Sequence, residues 1–89
     1  LTILDRNPNS NELVRASCRN NLALVCTHQN RQNAAMKQFN AVLEIRRRCL
    51  PPNHPDVADT LNNIGIVYER LSKFSDALDY YSQALAIKE

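Results

Sequence analysis

Residues 20–26 read NNLALVC, and residues 62–68 read NNIGIVY. Each stretch has two asparagines followed by a short apolar run, and the second begins 42 residues after the first. Shifting the whole chain by 42 residues also brings Ala16 onto Ala58, Ala35 onto Ala77 and Phe39 onto Tyr81. A fixed period of this kind is the sequence signature of a repeat protein, because each unit reuses one supersecondary pattern.

The same period divides the chain into units. The triplet Leu-x-Ile occurs at residues 1–3, 43–45 and 85–87. We therefore expect residues 1–6 to be the tail of a preceding unit, residues 7–48 to form a first unit and residues 49–89 a second, each with its linker. On this interpretation the chain begins inside the tail of one unit and stops in the tail of another.

Each unit is predicted to contain two α-helices, here called helix A and helix B. In the second unit one apolar stripe has the 3.6-residue spacing of a helix A; it comprises Val57, Leu61, Ile64, Tyr68 and Leu71. After a short connection at residues 71–73, a second stripe comprises Phe74, Ala77, Leu78, Tyr81, Ala84 and Leu85. The alternation expected of strands is absent, so the predicted fold class is all-α.

The boundary between the units lies in the proline-rich stretch at residues 50–55, LPPNHP. Proline cannot continue a helix, because it lacks an N–H and clashes with the preceding turn. Asn53 or His54 is predicted to cap the next helix, and Pro55 suits its first turn. Asp56 then places negative charge near the helix N-terminus, where the helix dipole favours it.

Composition excludes several classes of protein. The 89 residues carry a formal charge of +2, and the longest apolar run, residues 22–26, is far short of the about 20 residues that span a bilayer. The three cysteines, Cys18, Cys26 and Cys49, form no Cys-x-x-Cys pair, and the two histidines complete no metal-binding spacing. We therefore predict no metal, no cofactor and no membrane partner, and a reducing intracellular location.

The second unit resembles the tetratricopeptide repeat. Counted from Ala58, the family's helix A positions are matched by Leu61, Ile64, Gly65 and Tyr68, and its helix B positions by Ala77, Tyr81 and Ala84. The first unit departs from the pattern, because Arg19, Cys26 and Gln32 stand where the second unit has Leu61, Tyr68 and Phe74. The resemblance implies a right-handed α-solenoid that acts as a non-enzymatic scaffold for protein–protein interaction in the cytoplasm.

The 42-residue period is longer than the usual 34 residues of that family. This period is similar to the period of the kinesin light chain variety of the family. Three motifs also resemble that variety: HPDVA at residues 54–58, the paired asparagines, and ALAI at residues 84–87.

The resemblance also implies a site. In the family, the helix A residues opposite the core line a concave groove that binds a peptide of a partner protein. The corresponding residues here are Asn20, Leu24, Thr27, Asp59, Asn62, Ile66 and Glu69. Asn20 and Asn62, one period apart, are predicted to form a short ladder whose amides hold a peptide backbone, since an amide both donates and accepts hydrogen bonds. No small-molecule substrate is expected.

Alternatives remain open at this point. The chain could be a self-association module that stacks its repeats end to end. Residues 46–48, three consecutive arginines, could contact nucleic acid, but we interpret them as a solvated helix end that complements the helix dipole. A catalytic pair of Cys49 and His54 has no evident third orienting group, so we do not predict an enzyme.

Overall fold

The structure, a computed structural model, describes the backbone of residues 8–88 and the side chains of residues 11–87. The predicted tail at residues 1–6 lies outside this part of the chain. Four α-helices make up the fold: α1 (Pro8–His28), α2 (Gln32–Cys49), α3 (Pro55–Arg70) and α4 (Phe74–Lys88). Residues 8–88 contain no strand, so the predicted all-α class is confirmed.

The helices form two stacked hairpins. Helix α1 packs on α2, and α3 packs on α4, so each predicted unit is one helix pair. Helix α2 then packs on α3 and joins the two pairs. This α2–α3 contact, called the junction below, is the only extensive contact between the two hairpins within residues 8–88.

The two hairpin turns have the same conformation one period apart. Asn30 and Ser72 are left-handed, with φ of 62° and 63°. The next residue in each turn donates its N–H back to the helix, from Arg31 to the Cys26 carbonyl at 2.8 Å and from Lys73 to the Tyr68 carbonyl at 2.9 Å. A left-handed residue that ends a helix with such a bond satisfies carbonyls that the helix itself cannot.

The linker between the hairpins ends in a side-chain cap. His54 has extended backbone geometry, and its Nδ1 accepts a hydrogen bond from the Asp56 N–H at 3.0 Å. Of the two predicted capping residues, His54 is therefore the one that caps α3. Pro55 occupies the first position of the helix, as predicted from its missing N–H.

The core runs through both hairpins. Its fully buried members come from all four helices and are dominated by small and aliphatic side chains. The largest are Phe39, Leu61, Ile64, Val57 and Val67. Cys26, which stands where the second unit has Tyr68, is buried with them and packs as a small apolar residue.

The predicted core stripe of α4 is wrong in part. Ala77 and Ala84 are buried, but Phe74, Leu78 and Leu85 are exposed. In α2 the corresponding leucine, Leu43, belongs to the core, because α3 covers that side of α2. Residues 8–88 provide no helix in the equivalent position beyond α4.

The expectation of a solvated arginine run is wrong for Arg46. Its side chain is buried in the junction, where Nη1 donates to Thr60 Oγ1 at 2.8 Å and to the Asp56 carbonyl at 3.3 Å. The Thr60 hydroxyl donates in turn to the Asp56 carbonyl at 2.9 Å. Successive helix positions point about 100° apart, so Arg46 faces α3 while Arg47 and Arg48 remain exposed.

Candidate functional site

Four of the predicted site residues lie on one stripe of α3. Asp59, Asn62, Ile66 and Glu69 follow each other at i, i+3, i+7 and i+10, which places them on one side of the helix. Asp59 and Glu69 are exposed, Asn62 is half-buried, and Ile66 is 40% exposed. An isoleucine of this exposure beside polar groups is compatible with contact to an apolar ligand side chain.

The three predicted residues of α1 differ from one another. Asn20 and Leu24 are half-buried and lie one helical turn apart. Thr27 is buried, and its hydroxyl donates to the Ala23 carbonyl at 2.9 Å within the same helix. Thr27 therefore has no free polar group for a ligand, a correction to its predicted place in the site.

The asparagines make a contact that differs from the predicted ladder. Asn63, and not Asn62, donates from Nδ2 to Oδ1 of Asn20 at 3.4 Å. The bond thus joins the first asparagine of one pair to the second asparagine of the next. Sequence reasoning missed Asn63 because it treated residues one period apart as contacts; the doubling of the asparagines was the signal that could have revealed it.

Asn62 is left without a hydrogen-bond partner among the side chains that the structure describes. Asn20 also keeps unused capacity, because only its carbonyl oxygen is engaged and its NH₂ group remains available. Both residues can therefore still donate to a carbonyl of an added peptide.

A second bond holds α1 against α3 near the other end of this surface. Nη1 of Arg70 donates to the backbone carbonyl of Thr27 at 3.5 Å, again 43 residues back in the chain. The surface between α1 and α3, made of Asn20, Leu24, Asp59, Asn62, Ile66 and Glu69, is called the A-helix face below.

Glu69 connects this face to helix α4. The Tyr81 hydroxyl donates to Oε1 of Glu69 at 2.8 Å. Burial of the phenol, with added effect from the hydrogen bond and the negative charge of Glu69, raises the pKa of Tyr81 to about 12. The Glu69 carboxylate is thus oriented on the A-helix face by the Tyr81 hydroxyl.

The three arginines of residues 46–48 do not form one basic surface. Arg46 is buried in the junction. Arg47 donates to Oε1 of Gln83 at 3.2 Å, and Arg48 pairs with the Glu12 carboxylate at 3.3 Å. Phosphate binding depends on cations presented together, and here the three groups have separate partners on different helices.

Other kinds of site find little support in the described part of the chain. No three His, Cys, Asp or Glu side chains there come together in a way that could hold a metal ion. Cys49 is half-buried, and the Nδ1 atom of His54 is occupied as a helix cap. None of the four helices is long and apolar enough to cross a bilayer.

Known proteins are similar to parts of this chain. Mouse nephrocystin-3 is 48% identical over 42 residues, which is 47% of this chain and 3% of that protein. Nephrocystin-3 of Xenopus laevis is 40% identical over 50 residues, 56% of this chain and 4% of that protein. The chain thus spans only a small part of the length of these relatives. The family model of the tetratricopeptide repeat matches residues 19–89, which contain part of α1 and all of α2, α3 and α4, and the chain belongs to the tetratricopeptide repeat family.

Proposed function

We propose that this chain binds a peptide segment of a partner protein along the A-helix face and does no chemistry of its own. Proteins of this family generally mediate protein–protein interaction. The observation that carries the proposal is the pairing of Ile66, 40% exposed, with Asn62, whose amide has no partner among the described residues. Ile66 offers apolar contact, and Asn62, one helical turn away, offers a hydrogen-bonding group.

The division of roles follows from the chemistry of these side chains. Amides that both donate and accept can bind any peptide backbone, so Asn62 and the free NH₂ of Asn20 would hold the main chain. Leu24 and Ile66 would contact an apolar side chain of the ligand. Glu69 would favour a basic side chain nearby, since its carboxylate is oriented by Tyr81.

The repeat variety agrees with this proposal. The 42-residue period and the HPDVA, NN and ALAI motifs are similar to those of the kinesin light chain variety of the tetratricopeptide repeat, a family in which helix A residues line a peptide-binding groove. A cytoplasmic scaffold with protein partners is therefore the function that we propose.

The test begins with a selection from a displayed library of random 12-residue peptides, using the whole 89-residue chain as bait. Calorimetric titration of the best peptide should give a measurable Kd. Asn62→Ala should weaken its binding by about 1–3 kcal/mol, because a peptide carbonyl or N–H is left unpaired. The thermal melt should hardly change, since Asn62 bonds to no described side chain.

One control and one further variant of the site make the result specific. Glu44→Ala changes an exposed residue of α2 outside the A-helix face and should leave the affinity unchanged. Ile66→Ala should weaken binding with no loss of helicity. A selected peptide whose affinity is insensitive to both Asn62→Ala and Ile66→Ala would refute the proposed site.

A further inference from the structure

A pocket of about 430 Å³ opens between the two hairpins and shares no residue with the A-helix face. It is formed by the end of α2, the linker, the start of α3 and the end of α4. Six residues line it: Arg47, Pro52, Val57, Leu61, Gln83 and Ile87. Its volume is within the range of about 300–1,000 Å³ that is typical of ligand sites.

The pocket lies between the hairpins and not on the outer side of α4. Ile87 corresponds to Ile45 of the first hairpin, which is buried against Ala16 of its own helix pair. The side of α2 that α3 covers is instead the side of Leu43, whose counterpart in α4 is Leu85. A unit packed on α4 in the way that α3 packs on α2 would therefore contact the Leu85 side and leave the pocket open.

The floor of the pocket is apolar and fixed in position. Val57 and Leu61 are 2% and 1% exposed and belong to the core that joins the two hairpins. Half-buried Ile87 and exposed Pro52 extend this apolar surface toward the opening. Such a surface favours the aliphatic part of a ligand, because contact removes apolar area from water.

The repeat pattern alone does not account for this combination of residues. One period earlier, Arg15 and Arg19 occupy the positions of Val57 and Leu61. The first hairpin also has Ala41 where the second has Gln83. The apolar floor and its polar rim are therefore specific to this place in the chain.

The rim of the pocket has more hydrogen-bond donors than acceptors. Nη2 of Arg47 donates to Oε1 of Gln83 at 3.2 Å. A guanidinium has five N–H groups, and no ion pair joins Arg47 to a carboxylate within residues 11–87. The bond occupies the amide oxygen of Gln83 and leaves its NH₂ group as a donor. The rim thus presents one positive charge and several N–H groups to an incoming anion.

The number of cations favours a carboxylate over a phosphate. Arg46 is buried in the junction, and Arg48 pairs with Glu12, so Arg47 is the one arginine of this run that lines the pocket. A guanidinium matches the two oxygens of a carboxylate in its own plane. Phosphate sites usually present several cations together.

From this arrangement we infer that the pocket binds the C-terminal residue of a partner protein. The terminal carboxylate lies on Arg47 and Gln83, and an aliphatic side chain lies against Val57 and Leu61. The pocket is open to solvent on one side, so the preceding residues of the partner can leave it. A protein terminus, and not a free aliphatic acid, is the occupant that we assign, because proteins of this family generally mediate protein–protein interaction.

The test uses a library of random six-residue peptides displayed with free C termini and the whole 89-residue chain as bait. The selected peptides should end in leucine, isoleucine or valine. In a fluorescence titration, the free acid of the best peptide should bind about tenfold more tightly than its C-terminal amide, because the amide loses hydrogen bonds to a charged group. The same peptide extended by one glycine should also bind more weakly, since its carboxylate is displaced from the aliphatic side chain.

Two pairs of variants locate the carboxylate. Arg47→Gln should abolish the preference for the free acid, whereas Arg48→Gln, the same change at the next exposed residue, should leave it intact. Gln83→Glu places a carboxylate beside Arg47 and should weaken binding of the free acid to a similar extent. Its control is Ser82→Glu, which adds the same charge to an exposed position of α4 about 100° away. All four changes are at exposed residues, so circular dichroism should show unchanged helicity.

Methyl NMR spectra locate the side chain. Adding the free acid should shift the methyl signals of Val57, Leu61 and Ile87 but not those of Ile66. Equal affinities of acid and amide would overturn the inference, as would equal effects of Arg47→Gln and Arg48→Gln. Octanoate that binds the pocket more tightly than the selected peptide would also overturn it, because the occupant would then be a free aliphatic acid.

The outcome is separable from that of the proposed function, because the two sites share no residue. Arg47→Gln should still bind the peptide selected for the A-helix face, and Asn62→Ala should still prefer the free acid. Loss of the Asn62 and Ile66 effects with an intact acid preference would refute only the proposed function. The reverse result would refute only the C-terminal pocket.

Discussion

A methyl group added to Gly65 would lie 2.8 Å from Cε1 of Tyr81, closer than side-chain carbons approach in folded proteins. Glycine therefore sets the distance between α3 and α4 at this point. The first unit has Ala23 and Phe39 at the two corresponding positions, and both are buried there. The aromatic residues differ, because the Tyr81 ring lies directly against Gly65 and its hydroxyl donates to Glu69, whereas Phe39 has no hydroxyl and is fully buried in the core.

Gly65→Ala should destabilise the chain in spite of the better helix propensity of alanine. The clash with the Tyr81 ring should cost about 1–3 kcal/mol, whereas the propensity gain is about 1 kcal/mol. In a Tyr81→Leu background the same substitution should become neutral or stabilising. Urea unfolding of the four chains measures this as a double-mutant cycle, and additive effects would contradict the close approach.

Arg46→Ala should lower the free energy of unfolding by about 1–3 kcal/mol, because Arg46 bonds across the junction to Thr60 and to the Asp56 carbonyl. The control is Arg48→Ala, which removes only an exposed ion pair with Glu12 and should change stability by less than about 0.5 kcal/mol. Arg46→Met keeps most of the side-chain packing and isolates the loss of the hydrogen bonds. Equal urea midpoints for Arg46→Ala and Arg48→Ala would contradict the buried position.

Stability should fall as the pH rises from about 10 to about 12. A phenol in the unfolded chain ionises near pH 10, whereas the pKa of Tyr81 in the fold is raised to about 12. The unfolded chain therefore loses this proton first, and the stabilisation present below pH 10 disappears through that interval. Tyr81→Phe should flatten the dependence. Thermal melts across this range, with tyrosinate absorbance as a monitor, provide the measurement; identical slopes for the two chains would exclude the assignment.

Ser72→Gly should stabilise the chain by about 0.5–1 kcal/mol, because Ser72 holds a left-handed conformation that glycine adopts without a steric penalty. Asn30→Gly, at the same position of the other turn, should gain less, since asparagine tolerates this conformation better than serine. Thermal unfolding of the two variants compares them directly. A lower melting temperature for Ser72→Gly would contradict this prediction. It would show that the serine side chain stabilises the fold by more than its left-handed backbone conformation destabilises it.

The period and the prolines were enough to place the helices. Residues 50–54 and residues 71–73 connect the helices, with Pro55 in the first turn of α3 as predicted, and the four helices form two pairs. Both signals are local, because proline and the apolar spacing act within a few residues of the chain. Such local signals predict where a helix begins and ends without any information on which other helices pack against it.

The errors concern contacts between units. A period states which residues are equivalent, but it does not state which neighbour each of them faces. Arg46 was expected in solvent because it belongs to a charged run, yet α3 covers it. Leu85 was expected in the core because it belongs to the second apolar stripe, yet the described chain has no helix that covers this side of α4. The A-helix face remains a predicted binding site. Thr27 no longer belongs to it, because its side chain is buried.

The bond from Asn63 to Asn20 gives the array a polarity. The donor belongs to the later unit and the acceptor to the earlier one, so the two asparagines of a pair serve opposite neighbours. A unit that keeps only its first asparagine can make this bond to the following unit but not to the preceding one, and a unit that keeps only its second can make it to the preceding unit but not to the following one. In longer arrays of such units, the asparagine that is missing from a pair should therefore identify which terminus that unit occupies.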